Sequence, residues 1–144
     1  MILESVRPYA RPVGAAILSV NGIGALIGGG LLMYNPSGKM LGLSTDLLAY
    51  SPFEDYFIPG FTLFICNGLL SIIALWNLWK KEENYGQWMT MQGLVLGVWI
   101  LCQIIMIRKF FPPMHITFIL MAFMLTIFGM ALPVTRRSHR HRFE

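Results

Sequence analysis

This chain of 144 residues carries a net charge of +4, and it is 56% hydrophobic with only 12% charged residues. A water-soluble protein of this size needs a more polar surface, so the composition excludes an ordinary soluble domain and indicates a membrane protein. No connection between its apolar segments is long enough to bury a core of its own. We therefore expect a single membrane domain covering residues 1–144.

Four apolar segments of about twenty residues are each long enough to cross a bilayer as a helix. In chain order, the predicted spans are 13–34, 58–79, 88–107 and 114–132. The first is longer than the apolar region of a signal peptide, so we expect it to be retained. Short later connections make neighbouring helices antiparallel. The predicted fold is an all-α, up-down four-helix transmembrane bundle.

Lysine and arginine are distributed unevenly between the two ends of this predicted bundle. Eight of the eleven basic residues fall at the end that carries both termini: Arg7, Arg11, Lys80, Lys81, Arg136, Arg137, Arg140 and Arg142. Because basic residues favour the cytoplasmic side, we expect both termini in the cytoplasm. The basic tail, 133–144, then reflects this placement and attraction to anionic lipid, and it does not indicate nucleic-acid binding.

Small and polar side chains form one stripe on each span, which we expect to face the bundle interior. Gly24 and Gly28 make a small-xxx-small pair in the first span, and such pairs mark close helix packing. Asn21 needs a hydrogen-bonding partner inside the membrane, and Asn67 is the expected one. The predicted interior polar residues are Asn21, Asn67, Ser71, Gln92 and Trp99. Uncharged amides join helices as readily as they bind substrates, and the absence of deep charges argues against ion-coupled transport.

The connection 35–57 is the longest between two spans. Its apolar residues Leu43, Leu47 and Tyr50 stand at helical spacing, with Ser44 or Thr45 available as an N-cap. We expect a short amphipathic helix that lies on the outer membrane surface.

Arg108 lies on the outer side, against the positive-inside tendency. We expect it to pair with Glu54 or Asp55 of the outer loop, with His115 and Gln103 beneath, forming an outer-facing polar cluster. The alternative is a set of solvated interfacial charges, each pair contributing at most about 1 kcal/mol.

Two cysteines, Cys66 and Cys102, have similar predicted depths in the second and third spans. A disulfide between them would indicate redox chemistry, but no Cys-x-x-Cys motif or basic neighbour accompanies them. The alternative is two small buried side chains. His139 and His141 lack cysteine partners, and Glu144 is the one acidic residue beside them, so no metal site is predicted.

Short motifs in the loops and the third span give the chain a family resemblance. They are Pro36-Ser37-Gly38, Ser51-Pro52-Phe53 with Asp55-Tyr56, Pro59-Gly60, and Trp99-Ile100 with Gln103. In these the chain resembles small bacterial four-span proteins of the DoxX-like kind. The resemblance implies the bacterial cytoplasmic (inner) membrane, and it allows a small subunit of a quinone-linked oxidoreductase. The chain has no flavin, haem or iron–sulfur signature, so catalysis of its own is not expected.

Three functions remain open at this point. The first is a non-enzymatic accessory or scaffold subunit whose partners are membrane lipids, subunits of a membrane complex or further copies of this chain. The second is a binding protein for a lipid, quinone or similar amphiphile, with its head at Arg108, His115, Gln103 and Asp55. The third is a thiol-dependent redox protein that uses Cys66 and Cys102.

Overall fold

The computed structural model describes residues 1–133, which are folded into four long helices. The helices are α1 (Ile2–Tyr34), α2 (Phe57–Lys80), α3 (Tyr85–Ile107) and α4 (Pro112–Ala131). Each is long and apolar enough to cross a membrane. The predicted all-α fold and multi-pass membrane class are confirmed. The predicted basic tail after Pro133, with His139 and His141, lies outside the described residues.

Close contacts between glycines show that neighbouring helices run in opposite directions. A Cβ added to Gly29, near the end of α1, would lie 2.6 Å from the carbonyl oxygen of Gly60, near the start of α2. A Cβ added to Gly86 on α3 would lie equally close, 2.6 Å, to the carbonyl oxygen of Gly129 on α4. In both pairs the start of one helix therefore packs against the end of the other, as an up-down bundle requires. We call the end with segment 35–57 the loop end and the other the terminal end.

Helix α1 begins well before the predicted first span. The helix starts at Ile2 and continues through Pro8 and Pro12, whereas the prediction began at Val13. The predicted span covered only the apolar segment, because the first turns of the helix contain the charged residues Glu4 and Arg7. At about 1.5 Å per residue, a helix this long exceeds the thickness of the hydrocarbon layer, so its first turns extend beyond it.

Of the predicted glycine pair, Gly28 contacts α2, where an added Cβ would lie 3.8 Å from a side-chain carbon of Leu63, but Gly24 does not. Gly22 and Gly29 are buried against α2, while Gly24 is exposed and a Cβ added there would meet nothing within 4 Å. Within the bundle, the prediction that Gly24 belongs to the packing face is therefore wrong. The packing positions recur every seven residues, which corresponds to about two helical turns.

Helix α2 contains a π-helical segment, Leu63–Leu69, between two α-helical parts. In a π-helix each carbonyl accepts from the N–H five residues later, which widens the turn. The wide turn holds Asn67 and Gly68, both buried against the neighbouring helices. It therefore places an amide and a close packing contact side by side at the bundle centre.

The loop 35–57 contains two short 3₁₀ turns, Lys39–Leu41 and Thr45–Leu48. Ser44 caps the second turn, since its hydroxyl accepts a 3.2 Å hydrogen bond from the Asp46 N–H. A helical element is thus present where expected, but it is shorter than predicted. Pro52 accounts for this, because the residue before a proline is disfavoured in the helical conformation and the second turn therefore ends before Ser51.

Candidate ligand cavity and polar core

A cavity of about 690 Å³ lies inside the loop-end half of the bundle. All four helices and the loop contribute walls, and the loop covers the cavity with Leu41, Leu43, Leu47 and Leu48. This volume is within the range of about 300–1,000 Å³ that is common for small-molecule sites. The cavity is therefore large enough to hold an organic ligand.

The cavity is long. It reaches from the loop to Asn21, which stands thirteen residues before the end of α1 at Tyr34, a distance of about 20 Å along the helix axis. This length is enough for an extended hydrocarbon chain or for a ring that carries one.

No charged side chain lies among the described residues that line the cavity. The polar groups on its wall are the side chains of Asn21, Tyr56, Trp99 and Gln103, and the rest of the wall is mainly aliphatic and aromatic. Asn21, Trp99 and Gln103 lie at increasing height from the bundle centre towards the loop. This arrangement suits a largely apolar molecule that carries a few uncharged polar atoms.

Comparison with protein-family models, curated proteins and solved structures gives no match for this chain. The resemblance to DoxX-like proteins therefore stays a prediction. The cavity and the polar residues next to it are the features of the molecule that bear on its function.

Four buried polar residues connect three helices at the cavity floor. The Asn21 amide Nδ2 donates to the Ser71 hydroxyl at 2.9 Å and to the carbonyl oxygen of Asn67 at 3.4 Å. The Gln92 amide Nε2 donates to the Asn67 Oδ1 atom at 3.4 Å. Asn67 is thus a partner of Asn21, as expected, but through its main chain. The sequence did not indicate that Ser71 makes the shorter bond.

The same core has hydrogen-bonding groups that remain unpaired. Asn67 Nδ2 and Gln92 Oε1 are buried without a partner among the described residues. The Asn21 side chain, only 3% exposed, uses its nitrogen for both of its hydrogen bonds and lines the cavity. Its oxygen is left as an acceptor beside the cavity floor. Asn67 and Gln92 do not line the cavity, so among these groups the Asn21 oxygen is the acceptor that an occupant could reach.

The predicted polar cluster at the loop end is arranged differently from the expectation. The Arg108 guanidinium carbon lies 4.4 Å from the centre of the Tyr50 ring. The Asp55 Oδ1 atom accepts a 2.9 Å hydrogen bond from the Phe57 N–H and so caps the start of α2. No ion pair within 4.0 Å joins Arg108 to Glu54 or Asp55 in the described part of the chain. The structure therefore gives Arg108 an aromatic partner.

His115 is fully buried, but its role is local. Its Nδ1 atom accepts a 3.0 Å hydrogen bond from the Phe111 N–H and satisfies one free donor at the start of α4. The rings of Phe110 and Phe111 lie beside it, with centroids 5.2 and 6.0 Å away. Of the five residues in the predicted cluster, Gln103 is the one that lines the cavity.

The two cysteines are both free thiols, with Cys66 half-buried and Cys102 exposed. Within residues 1–133, no group of three or more histidine, cysteine, aspartate or glutamate side chains could hold a metal ion.

The phenol of Tyr56 holds the loop over the cavity. Its hydroxyl donates a 2.8 Å hydrogen bond to the Ser44 carbonyl, and its main-chain N–H donates to the Pro36 carbonyl at 2.9 Å. Tyr56 packs with Leu32 and Leu48 in a small apolar cluster. Burial raises the pKa of Tyr56 above its usual value of 10.0. The covering loop is therefore a fixed part of the cavity wall.

Proposed function

We propose that this protein binds an uncharged amphiphile, a quinone or a neutral lipid, in the loop-end cavity. The observation that carries the proposal is a long apolar cavity with a polar floor and no charged residue among its described lining. A protein of this kind stores, transfers or presents its ligand within the membrane.

The absence of charged side chains among the described lining residues favours one class of amphiphile. A phosphate or ammonium group moved into this cavity would lose its hydration without gaining an ion partner, which is strongly unfavourable. A quinone carbonyl or a hydroxyl needs only one or two hydrogen bonds, which the Gln103 amide and the Trp99 indole N–H supply. A hydroxyl can also donate to the Asn21 oxygen. The uncharged ligand is therefore favoured.

The position of the ligand head differs from the expectation based on sequence. That expectation placed it at Arg108, His115, Gln103 and Asp55. His115 caps α4 through Nδ1 and Asp55 caps α2, and although His115 Nε2 is buried without a partner among the described residues, neither residue lines the cavity. We therefore propose that the head lies between Asn21 and Gln103, inside the bundle, where the remaining polar groups of the wall are found.

We further propose that the protein lies in the bacterial inner membrane with both termini in the cytoplasm. The antiparallel helices bring Arg7, Arg11, Lys80 and Lys81 to the terminal end, and this supports a cytoplasmic location for that end. The cavity would then lie in the half of the bundle that is level with the outer leaflet. The accessory-subunit role stays an alternative hypothesis, and co-purification of a stoichiometric partner would favour it.

Native mass spectrometry of the full chain in mild detergent tests ligand binding. The probes are decylubiquinone, diacylglycerol and, as a charged comparison, phosphatidylglycerol. The variant Met106→Trp enlarges a side chain that lines the cavity, and Ile105→Trp makes the matched change at the adjacent, 63% exposed position.

We expect decylubiquinone or diacylglycerol to bind to the wild type and to Ile105→Trp, and binding to fall at least ten-fold in Met106→Trp. Equal retention by the two variants, or no binding of either uncharged probe to the wild type, would contradict the proposal.

A further inference from the structure

A second cavity lies at the opposite end of the bundle, on the surface between α1 and α2. It has a volume of about 620 Å³. Its walls come from Pro12 and Ala15 on α1 and from Ile72, Leu75, Leu78 and two tryptophans on α2. We call this the terminal-end groove. It shares no lining residue with the loop-end cavity.

Arg11 is the charged residue among the described residues that line this groove. It is half-buried, and its Nη2 atom donates a 3.1 Å hydrogen bond to the Leu78 carbonyl near the end of α2. Its Nε atom is buried without a partner, and no carboxylate lies within ion-pair distance in the part of the chain that the structure describes. The guanidinium is thus fixed in place while its charge is not neutralised.

Lys80 adds a second positive charge beside the groove. Its Nζ atom lies 5.0 Å from the centre of the Trp76 ring and 5.8 Å from that of Trp79. Both tryptophans line the groove and are more than half exposed, as tryptophans at the membrane interface usually are. The cation–π contacts keep the ammonium group at the edge of the groove, beside its two tryptophans.

We propose that the terminal-end groove binds one anionic phospholipid. The phosphate lies between Arg11 and Lys80, and an acyl chain covers the apolar wall between α1 and α2. In a bilayer an apolar groove on a helical surface is filled by lipid chains, so the charges decide which lipid is preferred. Two cations without a carboxylate favour a headgroup with net negative charge over a zwitterionic one.

Lipid competition measured by native mass spectrometry tests this proposal. The wild type and its variants are incorporated into nanodiscs containing equal amounts of phosphatidylglycerol and phosphatidylethanolamine with identical chains, and the ratio of the two retained lipids is measured. Arg11→Gln removes the charge in the groove. Arg7→Gln removes a charge one turn away on the same helix, at an exposed position that does not line the groove.

We expect the wild type to retain phosphatidylglycerol preferentially, and Arg11→Gln to reduce this preference about five-fold, the effect of one basic residue near the surface. Arg7→Gln should change it less than two-fold, and Arg11→Lys should keep most of it. If Arg11→Gln does not fold, Lys80→Gln provides the same test at an exposed side chain.

Two results would overturn the proposal. One is an equal loss of preference in Arg7→Gln and Arg11→Gln, which would indicate general attraction to the basic end. The other is an unchanged preference in the folded Arg11→Gln or Lys80→Gln variants.

Discussion

The amide of Asn21 donates a 2.9 Å hydrogen bond to the hydroxyl of Ser71, and this bond joins α1 to α2 at the centre of the bundle. Both residues are buried, and Asn21 lines the floor of the loop-end cavity. The same contact therefore stabilises the helix pair and orients the oxygen of Asn21 beside the cavity.

Removing this hydroxyl is expected to destabilise the bundle moderately. In Ser71→Ala, the Asn21 amide keeps only the longer bond to Asn67, and hydrogen bonds between membrane helices contribute about 1 kcal/mol. Ser19→Ala is the control, because that hydroxyl donates within its own helix to the Ala15 carbonyl. Thermal unfolding in detergent should show a lower midpoint for Ser71→Ala than for Ser19→Ala. Equal midpoints would show that the Asn21 bond adds no stability.

Close helix packing predicts opposite outcomes for two glycines of α1. In Gly29→Ala the new methyl would meet the Gly60 carbonyl oxygen at 2.6 Å, so the helices must separate, at a cost of about 1–3 kcal/mol. In Gly24→Ala the methyl meets nothing within 4 Å, so stability should be unchanged or slightly higher. Unfolding midpoints of the two variants in the same detergent check this. A destabilised Gly24→Ala would contradict the open position that the structure gives Gly24.

The sequence predicted the features that depend on length, composition and local spacing. Span length and hydropathy located the four helices, and the polar stripes located Asn21, Asn67 and Gln92 in the interior. The π-helix was not predictable, because the segment Leu63–Leu69 is mostly apolar and shows no interruption in its pattern. The sequence left open whether the bundle encloses a cavity, because this depends on how the loop folds back over the helices. The fold of the loop also places Tyr50 against Arg108, whereas the charge pattern predicted that Arg108 pairs with Glu54 or Asp55.

The stability of the loop is expected to fall at alkaline pH because of Tyr56. Its phenol is buried and bonded to the Ser44 carbonyl, and burial raises its pKa above 10.0. Below pH 10 the phenol is protonated in both the folded and the unfolded chain. As pH rises above 10 the unfolded chain loses this proton first, so the free energy of unfolding decreases until the raised pKa is passed.

Thermal unfolding between pH 8 and 11 checks this expectation. Tyr56→Phe should be less stable than the wild type at pH 8, by about 1 kcal/mol for the lost hydrogen bond. The difference should shrink as pH rises above 10, because this variant has no phenol to ionise there. A difference that stays constant over the whole range would contradict the role assigned to the Tyr56 proton.

The contact between Arg108 and Tyr50 predicts that these two residues are energetically coupled at the loop end. A double-mutant cycle of Arg108→Ala and Tyr50→Ala should give a coupling of about 0.5–1 kcal/mol, the value for an exposed cation–π pair. The matched cycle of Arg108→Ala with Asp55→Asn should give a coupling near zero, since Asp55 bonds to the Phe57 N–H. Unfolding midpoints of the single and double variants supply both values. A larger coupling to Asp55 than to Tyr50 would restore the ion pair that the charge pattern predicted, and with it a polar cluster over the cavity.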